Sequence, residues 1–160
     1  MKDAALVGDI LESFVAKGVF RGFSRQQGPG ADARFRILWH RDQLFEWVWS
    51  DARQSLRIAC VLPAVPADSA MYRELKAWLR SRQDSALPRH RRCDGSKLAL
   101  KTYNRGGEVA LTARVLDGDV EYTVKKLVAL VNELYLDFLS SGLYYDWQLE
   151  TFQLDPDRPY

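Results

Sequence analysis

The sequence predicts an α+β domain, in which an antiparallel meander sheet and helices follow one another in the order α-ββββ-α-ββ-α. Three observations predict this fold class. Apolar residues recur at helical spacing near the start, side chains alternate with a period of two between residues 34 and 62, and a glycine hairpin leads into a long amphipathic segment. With 160 residues, 47% of them hydrophobic, we expect one domain over residues 1–160, with 155–160 as a flexible tail.

The first element is an amphipathic helix. Leu6, Ile10 and Phe14 recur at helical spacing, so they share one apolar face. Asp3 is placed to cap the start of the helix, and Gly18 is placed to end it.

Four strands are predicted next. A short strand at 19–23 precedes a glycine and proline turn at 26–32, and clear alternation follows at 34–40, 44–49 and 56–62. Short connections between the last three strands favour antiparallel hairpins. One face of the fourth strand is expected to hold Leu56, Ile58, Cys60 and Leu62. The largest aromatic side chains are expected in the core rather than in a ligand cage, and they are Trp39, Phe45, Trp47, Trp49 and Trp78.

A second helix and a hairpin follow. Asp68 or Ser69 is placed to cap the helix, which is expected to end near Arg82. The segment 98–115 alternates on both sides of residues 104–107, which tolerate positive φ, so it predicts a two-stranded hairpin.

The last predicted elements are helical. Apolar positions at i, i+3, i+4 and i+7 run from Val120 to Phe138, and Gly142 interrupts this long helix. Residues 143–154 are expected to form one further short helix.

Charge is distributed unevenly along the chain. Residues 76–105 hold nine basic and two acidic side chains, whereas residues 106–160 hold four basic and ten acidic ones. The overall net charge is only +2 and the isoelectric point about 8.6, which is too mild to require a nucleic-acid partner. The asymmetry indicates either an electrostatic partner or self-association of opposite faces.

The basic stretch supplies the candidate partner-binding or anion-binding residues. They are Arg89, His90, Arg91, Arg92, Lys97, Lys101 and Arg105. Three interpretations remain open at this point: a solvated surface that pairs with the protein's own acidic C-terminal helix, a docking surface for an acidic protein segment, or a site for phosphate groups of nucleic acid or a small ligand.

Aromatic residues near the end of the chain exceed what one short helix can bury. This surplus suggests that a second copy of the chain covers them in a homodimer. The expected dimer contacts are Tyr144, Tyr145, Trp147 and Phe152.

Catalytic motifs are lacking from the sequence. The chain has two histidines, of which His40 lies at a strand end and His90 lies three residues before Cys93, where neighbouring arginines would favour a thiolate. Glu133 and Asp137 share a helix face but have no histidine beside them to complete a metal site. We therefore expect no catalytic residue, no metal and no cofactor.

The sequence also predicts a cytoplasmic location. The first residues contain three acids and so do not form a signal peptide, and no run approaches the roughly 20 apolar residues that span a bilayer. The two cysteines fit no disulfide or metal spacing, which is typical of reduced thiols.

The passage NRGGEVALTARVLDG at 104–118, followed by DVEYTVKKLVALVNELYLDFL, resembles the YbjN-like and type III secretion chaperone-like families. Together with the order of elements, the resemblance covers roughly residues 3–139. It implies a small α+β domain, often a dimer, that binds protein segments along its sheet or helices without catalysis. The expected function is thus a non-enzymatic protein-interaction domain, chaperone-like or regulatory; the alternative is phosphate or nucleic-acid binding through residues 89–105.

Overall fold

A computed structural model describes residues 2–27, 33–140 and 142–154. It confirms the α+β class and the order α-ββββ-α-ββ-α, which one further short helix follows. The strands are β1 (Gly22–Gln27), β2 (Ala33–Leu38), β3 (Leu44–Ser50), β4 (Ser55–Leu62), β5 (Leu98–Arg105) and β6 (Glu108–Val115). The α-helices are α1 (Lys2–Ala16), α2 (Ala70–Ser81), α3 (Val120–Glu133) and α4 (Tyr145–Phe152). Short 3₁₀ turns at His40–Asp42 and Gly142–Tyr144, and a π-helical turn at Leu134–Phe138, complete the described elements.

The six strands form one antiparallel sheet in the order β1-β2-β3-β4-β6-β5. The first four strands are a meander. Helix α2 then carries the chain past one strand position to β5, and β6 returns between β4 and β5. This crossover leaves β5 at the edge of the sheet.

Alternation in the strands creates one apolar face. The register aligns Phe35 with Trp47, Trp47 with Ile58, and Ile58 with Leu111, and all four side chains are buried. The prediction that the largest aromatics pack in the core is confirmed for Trp39, Phe45, Trp47 and Trp49, which are buried; Trp78 is half-buried against the same core.

The helices cover that apolar face. Helix α1 packs on α3 and on β1 and β3, and α3 packs on β6. Ser69 and Asp119 cap α2 and α3, since their side-chain oxygens accept hydrogen bonds from the backbone N–H of Tyr72 at 3.2 Å and of Tyr122 at 3.1 Å. The opposite face of the sheet carries the polar half of each alternating pattern and is exposed or half-exposed over most of its length.

Both boundaries of β1 differ from the sequence-based expectation. Strand β1 begins at Gly22 rather than at 19, because Phe20 turns into the core and pairing with β2 starts where Gly22 faces Leu38. It also includes Gln26 and Gln27, which were expected in a turn; the rest of that turn, 28–32, and the expected tail, 155–160, lie outside the described residues.

Strand β4 contains a bulge that the alternation did not indicate. Ile58 is paired with Leu111, and the next pair joins Leu62 to Val109. Between the two pairs β4 moves on by four residues and β6 by only two, so β4 bulges. Leu56, Ile58 and Leu62 are fully buried, but Cys60 lies in the bulge and is only half-buried.

The long C-terminal helix changes its geometry before it ends. Beyond Glu133 it continues as the π-helical turn, in which the N–H of Leu139 donates to the carbonyl of Leu134 at 3.0 Å. In the described part of the chain, no helix combines the length and apolar character needed to cross a membrane.

Candidate binding surface

The basic crossing, residues 87–97 between α2 and β5, is held against the protein's own acidic groups. The Arg91 guanidinium lies 3.2 Å from the Asp137 carboxylate, and the Lys97 ammonium lies 2.7 Å from Asp117 and 3.1 Å from Asp119. Bonds to these carboxylates raise the pKa of Lys97. Two of the predicted binding residues are therefore already engaged within the chain.

The other basic residues of the crossing make contacts of two kinds. The Arg92 side chain donates a hydrogen bond to the carbonyl of Ser85 at 3.0 Å. The side chains of Arg89 and His90 are exposed instead. The backbone carbonyls of these two residues accept hydrogen bonds from the Lys126 ammonium, that of His90 at 2.9 Å. The loop is thus anchored to α3 mainly through its backbone.

The structure gives no support to a reactive thiol in the crossing. Cys93 is buried, and burial, the largest effect, raises the pKa of its thiol despite the nearby positive charges of Lys126 and Arg82. The half-buried Cys60 has its pKa raised to about 11, again chiefly by burial. Neither cysteine is a thiolate at neutral pH, so the expected effect of the neighbouring arginines on Cys93 is outweighed by desolvation.

One ion pair beneath the crossing has a structural role. Arg82, at the end of α2, donates to Glu133 at 2.9 Å, and their side chains are only 12% and 21% exposed. The Arg82 side chain also lies over the Trp78 ring, 5.1 Å from its centroid. The pair links α2 to α3 in a largely water-excluded position.

We expect Glu133→Gln to destabilise the fold by about 1–3 kcal/mol, because it leaves the Arg82 charge poorly compensated in a buried position. Asp137→Asn is a matched control: its pair with Arg91 is nearly half exposed on both sides, so its loss should change the free energy of unfolding by less than about 0.5 kcal/mol. Urea denaturation of the two variants provides the measurement. Equal effects would contradict the distinction between the two ion pairs.

Unpaired positive charge is concentrated instead on the open face of the sheet, opposite the helices. Arg53, Arg57, Lys101 and Arg114, here called the open-face cluster, line a groove of about 860 Å³ over β4, β6 and β5. All four are exposed, and none of the described residues that line the groove is acidic. Among the described residues, no carboxylate forms an ion pair with any of the four.

The strand register fixes the arrangement of this cluster. Arg57 and Lys101 both lie directly opposite Thr112, one on each neighbouring strand. Arg114 lies one pleat further along β6, between Ser55 and Ala99. The three cations thus form a triangle around Thr112.

Strand β5 adds an exposed aromatic residue to this surface. Lys101, Tyr103 and Arg105 alternate along its open face, and Tyr103 is 60% exposed. Arg105 lies opposite Glu108 beside the two-glycine turn, in which Gly106 and Gly107 both have positive φ. The structure therefore separates the predicted residues Lys101 and Arg105 from the crossing and places them on the sheet.

Among the strands that the structure describes, none pairs with the outer edge of β5. Since the two-residue turn makes Arg105 and Glu108 a hydrogen-bonded pair, the backbone groups of Leu100, Thr102 and Asn104 point away from β6. The N–H of Leu98 also points away from β6, and it donates a hydrogen bond to the backbone carbonyl of Asp94. Within the described ranges, the N–H groups of Leu100 and Thr102 have no backbone acceptor outside the sheet.

A second groove, of about 320 Å³, runs beside this edge between β5 and α2. Leu79, Leu100 and Thr102 form part of its lining, and its cations are Lys76 and Arg80 from the helix and Lys101 from the strand. The β5 edge is therefore flanked by positive charge on both sides.

Most of the predicted dimer contacts are used within the chain. Tyr144 is buried and stacks on Phe138 with ring centroids 5.1 Å apart, and Trp147 donates to the Ala64 carbonyl at 3.0 Å. Phe152 packs edge-on to Trp147 at 5.5 Å. Tyr145 is the one of the four that is largely exposed, so helix α4 buries more of its aromatic surface than its length suggested.

Arg53, Arg57 and Arg114 were not predicted from the sequence as binding residues. They are isolated in the sequence, and only strand pairing brings them together. The available signal was the period of two, which places Arg57, Lys101 and Arg114 on the polar side of three strands. In the described part of the chain, no group of three or more histidine, cysteine, aspartate or glutamate side chains is arranged to hold a metal ion.

Comparisons with known proteins give no relative from which a function could be transferred. No family model matches the chain, and no curated protein or solved structure matches it. The function is therefore inferred from the surface itself.

Proposed function

We propose that this chain is a non-enzymatic protein-interaction domain that holds an extended, acidic segment of a partner protein against β5 and the adjoining open face of the sheet. The observation that supports it most directly is the unpaired β5 edge, with Lys76 and Arg80 on one side and Lys101 on the other. An added strand would satisfy the outward backbone groups of β5, and its acidic side chains would meet these cations.

Charge placement favours an acidic segment over a neutral one. Two cations of the crossing, Arg91 and Lys97, are neutralised by Asp137, Asp117 and Asp119. Lys76, Arg80 and Lys101 beside β5 form no ion pair with any carboxylate that the structure describes. Complementary charge accelerates association and disfavours wrong partners, although it contributes less to affinity than the backbone and apolar contacts. The proposal agrees with the binding of protein segments implied by the resemblance to the chaperone-like families, and it places the protein in the cytoplasm, where free thiols such as Cys60 and Cys93 are normal.

Binding is tested with a fluorescein-labelled peptide of alternating glutamate and valine, about ten residues long, which is the upper end of ordinary strand length. We expect Thr102→Pro to weaken binding by about tenfold, because proline removes an outward N–H and its ring occupies the approach of the new strand. Fluorescence anisotropy gives the affinities, and hydrogen exchange should show protection of the Leu100 and Thr102 amides by the peptide.

Thr102→Val is the matched control. Both substitutions remove the hydroxyl that accepts from Tyr72 at 3.2 Å, but valine keeps the backbone N–H. The valine variant should bind within about twofold of the wild type, since no edge hydrogen bond is lost. Equal binding by the proline and valine variants, both shown to be folded by circular dichroism, would exclude the β5 edge as the site.

The alternative function is phosphate or nucleic-acid binding, and one observation favours it. Tyr103 is exposed between Lys101 and Arg105, an arrangement that allows a base to stack while the cations contact phosphates. Of the seven residues in the segment 89–105 that were predicted to bind anions, only Lys101 and Arg105 lie on this surface. A single-stranded oligouridine titrated in place of the peptide distinguishes the two functions, because its affinity should fall steeply with salt concentration.

A further inference from the structure

We propose that the open-face cluster is a phosphate-recognition site, and that the partner segment of the proposed function carries a phosphorylated serine or threonine there. This inference rests on the proposed function and adds the chemistry of the group that is recognised. The site is built by Arg57, Lys101 and Arg114 around Thr112 on three adjacent strands.

The spacing of the three cations suits one tetrahedral anion. Arg57 and Lys101 are two strand spacings apart, about 10 Å, and Arg114 is diagonal to both, with backbone separations of about 7–8 Å. Side chains of this length can converge on a group held above Thr112, whose hydroxyl can also donate. Arginine guanidiniums offer paired donors that match phosphate oxygens, and Lys101 adds a point charge.

The amount of unpaired charge favours phosphate over carboxylate. The described lining of the groove has four cations and no acid, so a single carboxylate with one charge and two oxygens would leave most of the cluster uncompensated. A phosphomonoester carries roughly −1.5 to −2 charges near neutral pH and presents three acceptor oxygens. Elsewhere on the same face, Arg34 is paired with Glu46 at 2.9 Å, whereas the described lining of the groove offers the cluster no such acid.

The location connects the site with the β5 edge. Lys101 lines both the open-face groove and the groove beside α2. In a strand added to β5, alternate side chains face the open side of the sheet, next to Lys101. Thr112 lies on β6, two strand spacings or about 10 Å from such a strand, so the phosphorylated residue stands where the segment leaves the edge and crosses the open face above Lys101. The two sites can therefore be occupied by one continuous segment.

The test uses two forms of the glutamate-valine peptide, one with a central serine and one with that serine phosphorylated, titrated at about 0.15 M salt so that long-range attraction is screened. We expect the phosphorylated peptide to bind wild-type protein at least about tenfold more tightly, because the phosphate forms several charge-assisted hydrogen bonds. In Arg57→Gln and in Arg114→Gln, phosphorylation should tighten peptide binding by less than about threefold, since each variant lacks one guanidinium with its paired donors.

Arg36→Gln is the matched control, because Arg36 is exposed on the same face but lies on β2, outside the groove. In this variant, phosphorylation should tighten peptide binding by the same factor as in the wild type. Equal binding of the two peptides would overturn the phosphate site and leave the proposed function standing, whereas failure of both peptides to bind would overturn both. An undiminished gain in the Arg57 and Arg114 variants, or tighter binding of oligouridine with the same dependence on these arginines, would also overturn the proposal.

Discussion

Replacing Tyr135 by alanine should destabilise the protein by about 4 kcal/mol, because a large buried ring is lost together with its hydrogen bonds. Tyr135 is fully buried in the π-helical turn. Its hydroxyl donates to the carbonyl of Val61 at 2.7 Å and accepts from the Gln43 side chain at 2.7 Å. One side chain thus joins the C-terminal helical segment to the bulge of β4 and to the β2–β3 connection.

The hydroxyl and the ring can be separated experimentally. Tyr135→Phe keeps the ring and should cost about 1–3 kcal/mol, since the Val61 carbonyl and the Gln43 amide lose their partner in a buried place. Tyr145→Ala removes the same kind of side chain from a position that is 53% exposed and should change stability by less than about 0.5 kcal/mol. Urea denaturation monitored by circular dichroism measures all three variants. A Tyr135→Ala variant as stable as Tyr145→Ala would refute this role.

The location of Tyr135 also shows which part of the fold could not be predicted from the sequence. Helical periodicity through Phe138 correctly placed its side chain on the buried face of a helical segment. The change from α to π geometry after Glu133 leaves that periodicity almost unaltered, and the bulge that provides the Val61 carbonyl depends on pairing between β4 and β6. Both features arise from tertiary packing rather than from local propensity.

The strands themselves were largely predictable. Trp47 and Trp49 alternate with half-exposed neighbours, so a period of two identified β3 and its buried face. The start of β1 was not predictable in this way, because Val19 and Phe20 are apolar like strand residues. Pairing between Gly22 and Leu38, rather than hydrophobicity, determines where that strand begins.

The binding surface was predicted only in part, for a physical reason. A run of arginines is conspicuous in a sequence, but Arg91 has Asp137 as a partner from an element 46 residues away, which no local pattern shows. Conversely, Arg57 and Arg114 are inconspicuous until the β4–β6 pairing brings them together. Surface charge becomes informative only when its partners in the fold are known.

Lowering the pH from about 7 to about 5 should cost the protein about 2 kcal/mol of stability through His40 alone. The pKa of His40 is lowered from 6.5 to about 4. Burial is the largest cause, the charge of Arg41 acts in the same direction, and a hydrogen bond with Asn132 opposes both. The ring stacks on Tyr135 with centroids 4.7 Å apart, and its Nε2 atom is buried without a hydrogen-bond partner in the described part of the structure. Protonation would therefore place an unsatisfied charge beside Arg41.

The direction of the effect follows from the two pKa values. In the unfolded chain His40 takes up a proton below about pH 6.5, whereas in the folded protein it does so only near pH 4. The stability that neutral His40 contributes is therefore complete above pH 6.5 and is lost as the pH falls toward 4. His40→Phe keeps an aromatic ring against Tyr135 and should remove this loss. His90→Gln, at an exposed position, should retain it. If urea denaturation at the two pH values gave the same loss in His40→Phe as in the wild type, the acid sensitivity would have to originate at groups other than His40.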